Sequence, residues 1–348
     1  MMPAGQGRNG RRTAARARLE LSRRTFLGAL LSSCAVPQAL AQAPGDLRFA
    51  HAFGEFVLPK PATRVVSLGY TSHDALLALQ TQPIAVRYWF GDQPHAVWPW
   101  AAPYLNGAAP QVLTGEVSAE VVAALQPDLI VGIGSGISEA EYALLSQIAP
   151  VLMHDAGSPA YGTPWNEMTL TLGRALGKDG LAGELVAGVE KRFADARARH
   201  PDWAGRSAVP AYHFGGETGV FTAVDTRGRF LRELGFVVPD ELQRLAGENF
   251  YAGLSPEDLS VLDADLLMWI SSFEEAPDLV NLPMRKMLRA HSAGREVFAG
   301  GVVAAAMSFG SVLSLPFVLD RTEADIAAAL DGDPATEVAS AVKAGLAP

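Results

Sequence analysis

The chain has 348 residues, 49% of them hydrophobic and 19% charged, with a formal net charge of −9. That apolar fraction supports about two domains with real cores and excludes a disordered chain. A single cysteine, Cys34, excludes a disulfide framework and a cysteine-based zinc site, and the lack of a basic block beyond the N-terminus argues against nucleic acid as a partner.

Residues 1–41 hold seven Arg against one Glu, so the remainder carries −15. Ser22-Arg23-Arg24-Thr25-Phe26-Leu27 is a twin-arginine pattern, followed by an apolar stretch from Phe26 to Val36 and then Ala39-Leu40-Ala41. The order charged, apolar, small-x-small predicts a signal peptide over 1–41, exported by the twin-arginine route. Release after Ala41 gives a soluble periplasmic or extracytoplasmic protein. In the competing outcome Leu31-Ser32-Ser33-Cys34 acts as a lipobox and Cys34 becomes a lipid anchor.

Residues 42–61 read as a polar, Pro-containing lead-in. From there short apolar strands alternate with helices. Strands are expected at 64–68, 83–86, 128–132 and 150–153, with helices at 73–79, 118–125 and 139–148, which implies a parallel sheet with crossovers. The rhythm then changes to two helices, 165–176 and 180–200. Leu181, Leu185, Val189 and Phe193 recur every four residues in the second, and Pro201 ends it. Strands resume at 209–214, 220–224, 266–270 and 297–298, with helices opening at Arg229 and Leu315. Gly300 to Leu319 carries no charge, but Ser308, Gly310, Ser311, Ser314 and Pro316 interrupt it, so it reads as a strand end, a loop and a helix start rather than a membrane span. The tail after Pro334 reads as small and polar.

SAEVVAALQPDLIV from Ser118 and SPEDLSVLDADLLM from Ser255 share Ser118/Ser255, Glu120/Glu257, Leu125/Leu262, Asp128/Asp265 and Leu129/Leu266. Both read as a helix with an early Glu, then Asp, then a buried strand. The repeat predicts two similar α/β lobes, one on each side of the long helix. Catalytic patterns are missing: Gly132-Ile133-Gly134-Ser135-Gly136 fits neither GxGxxG nor GxSxG and reads as a tight turn, and no Walker or HExxH pattern occurs. The seven His show no metal-ligand spacing, although His73, His154 and His213 could converge in space.

Over residues 62–330 the chain resembles the substrate-binding proteins of iron–siderophore and cobalamin ABC importers. The resemblance rests on ATRVVSLGYTSHDALLAL, GEVSAEVVAALQPDLIVG, YALLSQIAPV, YGTPWNEMT, TLGRALG, DTRGRFLRELGF, YAGLSPEDLSVLDADLLMW and LSLPFVLDR. The pair GEVSAEVVAALQPDLIVG and YGTPWNEMT points to the iron–siderophore branch. The resemblance implies an α/β fold of two Rossmann-like lobes joined by one long backbone helix, with the ligand cleft between the lobes. It places the lobes at 62–177 and 205–345 and the helix at 178–200. It implies a non-enzymatic, monomeric protein without a cofactor that captures a ferric siderophore and delivers it to an ABC importer permease in the cytoplasmic membrane. Cobalamin, haem or a metal ion are the rival ligands, and an α/β hydrolase is the rival from another class. In the family one surface Glu on each lobe pairs with permease arginines; by motif position these are Glu120 and Glu257.

A ferric siderophore is bulky and oxygen-rich, so recognition should use Arg for charge and aromatic faces for the organic scaffold. Candidates sit at the carboxyl ends of strands, where clefts of α/β sheets open. In the first lobe these are Tyr70, Arg87, Tyr88, Trp89, Trp98, Trp100 and Ser135. In the second they are His213, Arg227, Arg229, Trp269, Phe273 and Met307. Tyr161 and Trp165 lie at the crossover into the long helices.

Overall fold

The computed structural model describes residues 47–348; the twin-arginine signal, the Ala41 release site and Cys34 lie outside the described residues. The described chain opens on a hairpin, β1 (Leu47–His51) and β2 (Gly54–Leu58), where a polar lead-in is expected from the sequence. Phe49 and Phe56 stack with ring centroids 5.2 Å apart, and Phe49 and Leu58 are buried in the main core. The apolar residues of this stretch alternate as a half-buried ribbon requires, which explains why it pairs.

The first lobe follows in the expected alternation. It comprises β3 (Val65–Ser67), α1 (Ser72–Ala78), β4 (Ala85–Arg87), β5 (Gln111–Leu113), α2 (Ala119–Ala124), β6 (Leu129–Val131), α3 (Glu139–Leu145) and β7 (Val151–Leu152). Its sheet is parallel throughout, in the order β5-β4-β3-β6-β7. The chain builds outward from β3 to β5, then jumps back to place β6 on the other side of β3. Between β3 and β6 the strand order reverses, and the crevice of an open α/β sheet forms outside the carboxyl ends there.

Two helices carry the chain onward, α4 (Trp165–Ala175) and α5 (Asp179–Arg199). The 21 residues of α5 span about 30 Å at ~1.5 Å per residue. Its buried stripe is Ala182, Val186, Val189, Phe193 and Ala196; Leu181 and Leu185, expected at its centre, flank it half-buried. Small Ala at the stripe lets the helix approach its neighbours closely, and the larger Leu residues cover the margin.

The second lobe comprises β8 (Ala208–Phe214), β9 (Glu217–Phe221), α6 (Thr226–Glu233), α7 (Asp240–Ala246), β10 (Tyr251–Gly253) and β11 (Leu266–Ser271). Then come α8 (Pro277–Val280), α9 (Arg289–Ser292), β12 (Glu296–Gly300), α10 (Gly301–Phe309), α11 (Ser314–Ala329) and α12 (Ala339–Lys343). The sheet order is β10-β9-β8-β11-β12. Here β8, β11 and β12 are parallel, while β9 and β10 run antiparallel to their neighbours. The reversal follows from Gly215-Gly216, both at positive φ, which close a two-residue hairpin that few other residue pairs could form. The uncharged stretch from 300 is α10, a break at Gly310, and the start of α11. Among the described residues no helix is long and apolar enough to cross a membrane. The tail is less polar in role than its composition implies, because Val338, Ala341 and Leu346 are buried around α12.

The internal repeat marks a shared structural device rather than a shared helix. The first copy forms α2, capped by the Ser118 hydroxyl, whereas the second forms a turn at Pro256-Glu257 and a 3-10 turn at Ser260–Leu262. What the copies share is the aspartate. Asp128, one residue before β6, accepts the backbone N–H groups of Thr63 and Arg64 just ahead of β3, at 2.7 to 3.0 Å. Asp265, one residue before β11, accepts the N–H of Ser207 just ahead of β8, at 2.9 Å. Each carboxylate thus ties the entry of a central strand to its parallel neighbour. Burial pushes both carboxyls up, but these hydrogen bonds outweigh it and hold both below the usual aspartate range.

Candidate functional site

The carboxyl ends of β3, β4 and β6 deliver one aromatic and cationic cluster. Tyr70 follows β3, Arg87 ends β4 with Tyr88 and Trp89 next, and Ser135 lies in the turn after β6. The Arg87 guanidinium lies 4.7 Å over the Tyr70 ring and donates to the Ser135 carbonyl at 2.9 Å. Trp89 and Tyr161 flank Tyr70, with centroids 5.6 and 6.5 Å away and rings inclined by 28° and 16°. Tyr88, Trp89 and Tyr161 are exposed, so aromatic faces remain open to solvent. Burial and the neighbouring Tyr70 raise the Tyr161 phenol, against the opposing pull of Arg87.

The glycine-rich turn after β6 serves this cluster. Gly134 and Gly136 both adopt positive φ, and a Cβ on Gly136 would stand 1.8 Å from the Tyr161 hydroxyl. The turn then closes with a capping box in which Ser138 and Glu141 exchange hydrogen bonds at the start of α3. Those bonds, chiefly from Ser138, and the field of Arg87 hold the Glu141 carboxyl below its ordinary range.

The second lobe meets this cluster through α6 and α10. Arg229 is half-buried and donates to the Gly162 carbonyl at 3.1 Å, next to Tyr161. Burial lowers its guanidinium, while Asp225 and Glu167 act in the opposite sense. Arg227 pairs with Asp225 at 3.1 Å, bonds to the Ser308 hydroxyl and covers the Phe221 ring at 4.1 Å. One residue past Ser308, the Phe309 ring lies 5.5 Å from that of Trp89. The far end of α10 starts beside Phe273, whose carbonyl accepts the Gly301 N–H. At ~1.5 Å per residue the 9 residues of α10 set these two points about 13 Å apart. There Phe273 and Phe214 stack at 6.0 Å, exposed at 57% and 64%, so this pair forms a second open aromatic face. His213 contacts the Thr218 hydroxyl at 2.8 Å, and burial lowers its pKa.

Several expected site residues lie elsewhere. Trp98 and Trp100 are buried and stacked on each other at 5.3 Å, and the Trp100 indole N–H donates to Asp74 at 2.7 Å. Trp269 is fully buried and donates to Glu296 at 2.7 Å. Met307 is also fully buried, and the Ser135 side chain turns back to the Gly132 carbonyl. These side chains are buried and pack the lobes. Trp165 packs half-buried against the main core. Phe221, which the sequence reading did not place at the site, lies there under Arg227. Phe214 ends the strand expected at 209–214 and stands exposed, while Phe309 is buried.

His73, His154 and His213 do not form a metal centre: among the described residues no group of three or more His, Cys, Asp or Glu could hold a metal ion. Two hollows, of about 280 and 140 Å³, border Arg174 and include none of the clustered aromatics; Glu167 lines the smaller one. Glu120 and Glu257 are both exposed, and Glu120 accepts the Ser118 hydroxyl at 2.7 Å, which lowers its carboxyl.

A profile of the periplasmic binding protein family matches residues 65–295. The chain belongs to that family. It is 27% identical over 274 residues to the probable siderophore-binding lipoprotein YfiY of Bacillus subtilis, covering 71% of this chain and 80% of that relative. It is 26% identical over 298 residues to the ferric enterobactin-binding periplasmic protein FepB of Escherichia coli, covering 78% and 90%. Its fold matches that of a periplasmic solute binding protein from Mycobacterium smegmatis with a TM-score of 0.73 and 34% identity, over 82% of this chain and 99% of the other. The two-lobed α/β architecture is therefore the architecture of a solute-binding protein.

Proposed function

We propose that this periplasmic binding protein captures a ferric siderophore outside the cytoplasmic membrane and hands it to the permease of an ABC importer. One observation supports the reading: Tyr70, Arg87, Trp89 and Tyr161 cluster at the strand ends of the first lobe, Arg229 reaches that cluster from the second lobe, and the exposed Phe214–Phe273 pair gives the second lobe a further open aromatic face. Rings offer flat contact to an organic scaffold, and guanidinium groups donate to the oxygens that surround the iron. The siderophore brings its own iron ligands, so the protein needs none. The names of two relatives, both siderophore-binding, support the same ligand class.

In this reading the lobes at 62–177 and 205–345 close modestly about the helix at 178–200, and the protein works as a monomer. The twin-arginine leader directs export, with release after Ala41 favoured over anchoring at Cys34. Glu120 and Glu257 contact the permease. Both are exposed, one on each lobe, and an acidic protein suits a cationic docking surface.

Uptake tests this directly. In cells lacking their own copy, the wild-type chain should restore uptake of the ferric siderophore it binds. The Glu120→Ala, Glu257→Ala pair should abolish that uptake and leave ligand affinity unchanged. Lost affinity in the pair would refute the docking role, and a wild-type chain that neither binds nor restores uptake would refute the function.

A further inference from the structure

Phe309 belongs to the second lobe by chain, but its ring is housed in the first. It ends α10, is 3% exposed, and is surrounded by first-lobe rings. Centroids lie 5.6 Å away for His73, 5.5 Å for Trp89, 6.2 Å for Phe90, 6.3 Å for Trp98 and 5.1 Å for Trp100. All but Trp89 meet it edge to face, a geometry that fixes orientation as well as distance. The turn that follows is locked too. Gly310 adopts positive φ, and a Cβ there would stand 2.8 Å from the Thr226 side chain at the start of α6. The Ser311 hydroxyl accepts the N–H groups of Leu313 and Ser314, at 3.3 and 3.0 Å. With both lone pairs used, its proton crosses the lobe boundary to the buried Asp74 carboxylate, which also takes the Trp100 indole N–H at 2.7 Å.

We propose that Phe309 is a positioning residue for ligand capture: seated in its first-lobe socket and locked by Ser311 on Asp74, it sets Trp89 of the first lobe against Arg227 of the second before a ligand arrives. Both residues of the candidate site hang on this joint. Trp89 lies between Phe309 and Tyr70, at 5.5 and 5.6 Å. Arg227 donates to the hydroxyl of Ser308, the residue before Phe309. A close-packed socket has discrete arrangements and does not deform continuously, so the two lobes keep one relation at this point. Site residues set in advance spare the ordering cost that binding would otherwise meet. The role in capture rests on the siderophore reading above; the joint itself does not, and it is measured without a ligand.

Spin labels at Ala143→Cys on α3 and Arg244→Cys on α7, both exposed, report the distance between lobes by pulsed electron resonance in a Cys34→Ser chain. Without ligand this background should give one narrow distribution. Phe309→Ala should widen it about twofold or more, and Ser311→Ala by less. Whichever of ferrichrome, ferric enterobactin and ferric staphyloferrin B the wild type binds should bind Phe309→Ala about tenfold more weakly. Phe236→Ala, which empties a buried second-lobe position packed on Trp203, controls for lost stability and should leave both readouts unchanged. Should Phe309→Ala not fold, Phe309→Leu carries the same test, since it stays apolar and removes the ring. A broad distribution in the background chain, no widening in the Phe309 variant, or equal changes in Phe236→Ala overturns the proposal. Widening with unchanged affinity overturns the positioning role and leaves siderophore capture standing. If the wild type binds none of the three complexes, the role in capture falls with the function, and the distance widths alone decide the joint.

Discussion

Arg285→Met should cost about 3–5 kcal/mol of stability, the range for breaking a buried ion pair by removing one partner. Arg285 and Glu296 are 1% and 2% exposed, and their charged groups lie 2.7 Å apart. Glu296 also accepts the Trp269 indole N–H and the His291 ring N–H, each at 2.7 Å. Arg285 further donates to the Leu346 carbonyl at 3.1 Å, which ties the C-terminal tail to the edge strand β12. Removing the guanidinium strands a carboxylate in the core and frees the tail. Adding Glu296→Gln removes the stranded charge and keeps an acceptor for Trp269, so the double variant should recover part of the loss. Urea unfolding followed by tryptophan fluorescence gives both numbers. A single-variant loss below about 1 kcal/mol would show that the pair is not insulated from water.

His73→Gln and Asp74→Asn should tilt the pH dependence of stability in opposite directions. Both residues are fully buried on α1, with His73 Nε2 3.7 Å from Asp74 Oδ1. Burial raises the Asp74 carboxyl to about 7, against the pull of hydrogen bonds from Ser311 and Trp100. Burial lowers the His73 imidazole to about 4, and among the described residues neither ring nitrogen has a hydrogen-bond partner. Asp74 therefore binds its proton more tightly folded than unfolded. Its contribution is full below the unfolded pKa near 3.8 and is lost as pH rises through about 7. His73 binds its proton less tightly folded. Its contribution is full above 6.5 and is lost as pH falls through about 4. In the wild type the two slopes oppose each other across most of that window. Without His73, stability should fall with rising pH relative to wild type, by up to about 1.4 kcal/mol per pH unit. Without the Asp74 carboxyl it should rise with pH by a similar slope. Melting temperatures from pH 4 to 8 decide it, and parallel profiles for all three proteins would contradict the burial of this pair.

Asp74 also explains why the two tryptophans of the 98–100 loop sit in the core. Its carboxylate joins Trp100 of the first lobe to Ser311 of the second, between α10 and α11. In sequence, Trp98 and Trp100 carry no sign of that partner, which lies 26 residues before Trp100. An aromatic residue in a loop fits a ligand wall and a packed core equally well, and only the distant acceptor separates the two. Trp269 repeats the case, since its indole is claimed by Glu296 on the neighbouring strand.

What was legible depends on local information. The alternation of short apolar strands with helices reports directly on burial on both faces of a parallel sheet, so both lobes could be read. Arg87, Tyr70 and Trp89 were legible because they follow such strands, and the carboxyl end of a strand is where a crevice opens. The mixed strand directions of the second sheet depend on Gly215-Gly216, a signal present but easily read as a loop. The repeat was visible at Glu120 and Glu257, yet its structural content lies in Asp128 and Asp265, whose partners stand some 60 residues upstream.

The most direct test of the whole reading is a titration of the purified protein with one ferric siderophore and with the same siderophore free of iron, followed by tryptophan emission. Trp89 is exposed beside Tyr70 in the groove, so occupancy should reach it. Expected is saturable quenching at one ferric complex per chain and little change with the iron-free form. Unchanged emission and no measurable binding across hydroxamate, catecholate and carboxylate complexes would contradict a siderophore-capturing groove.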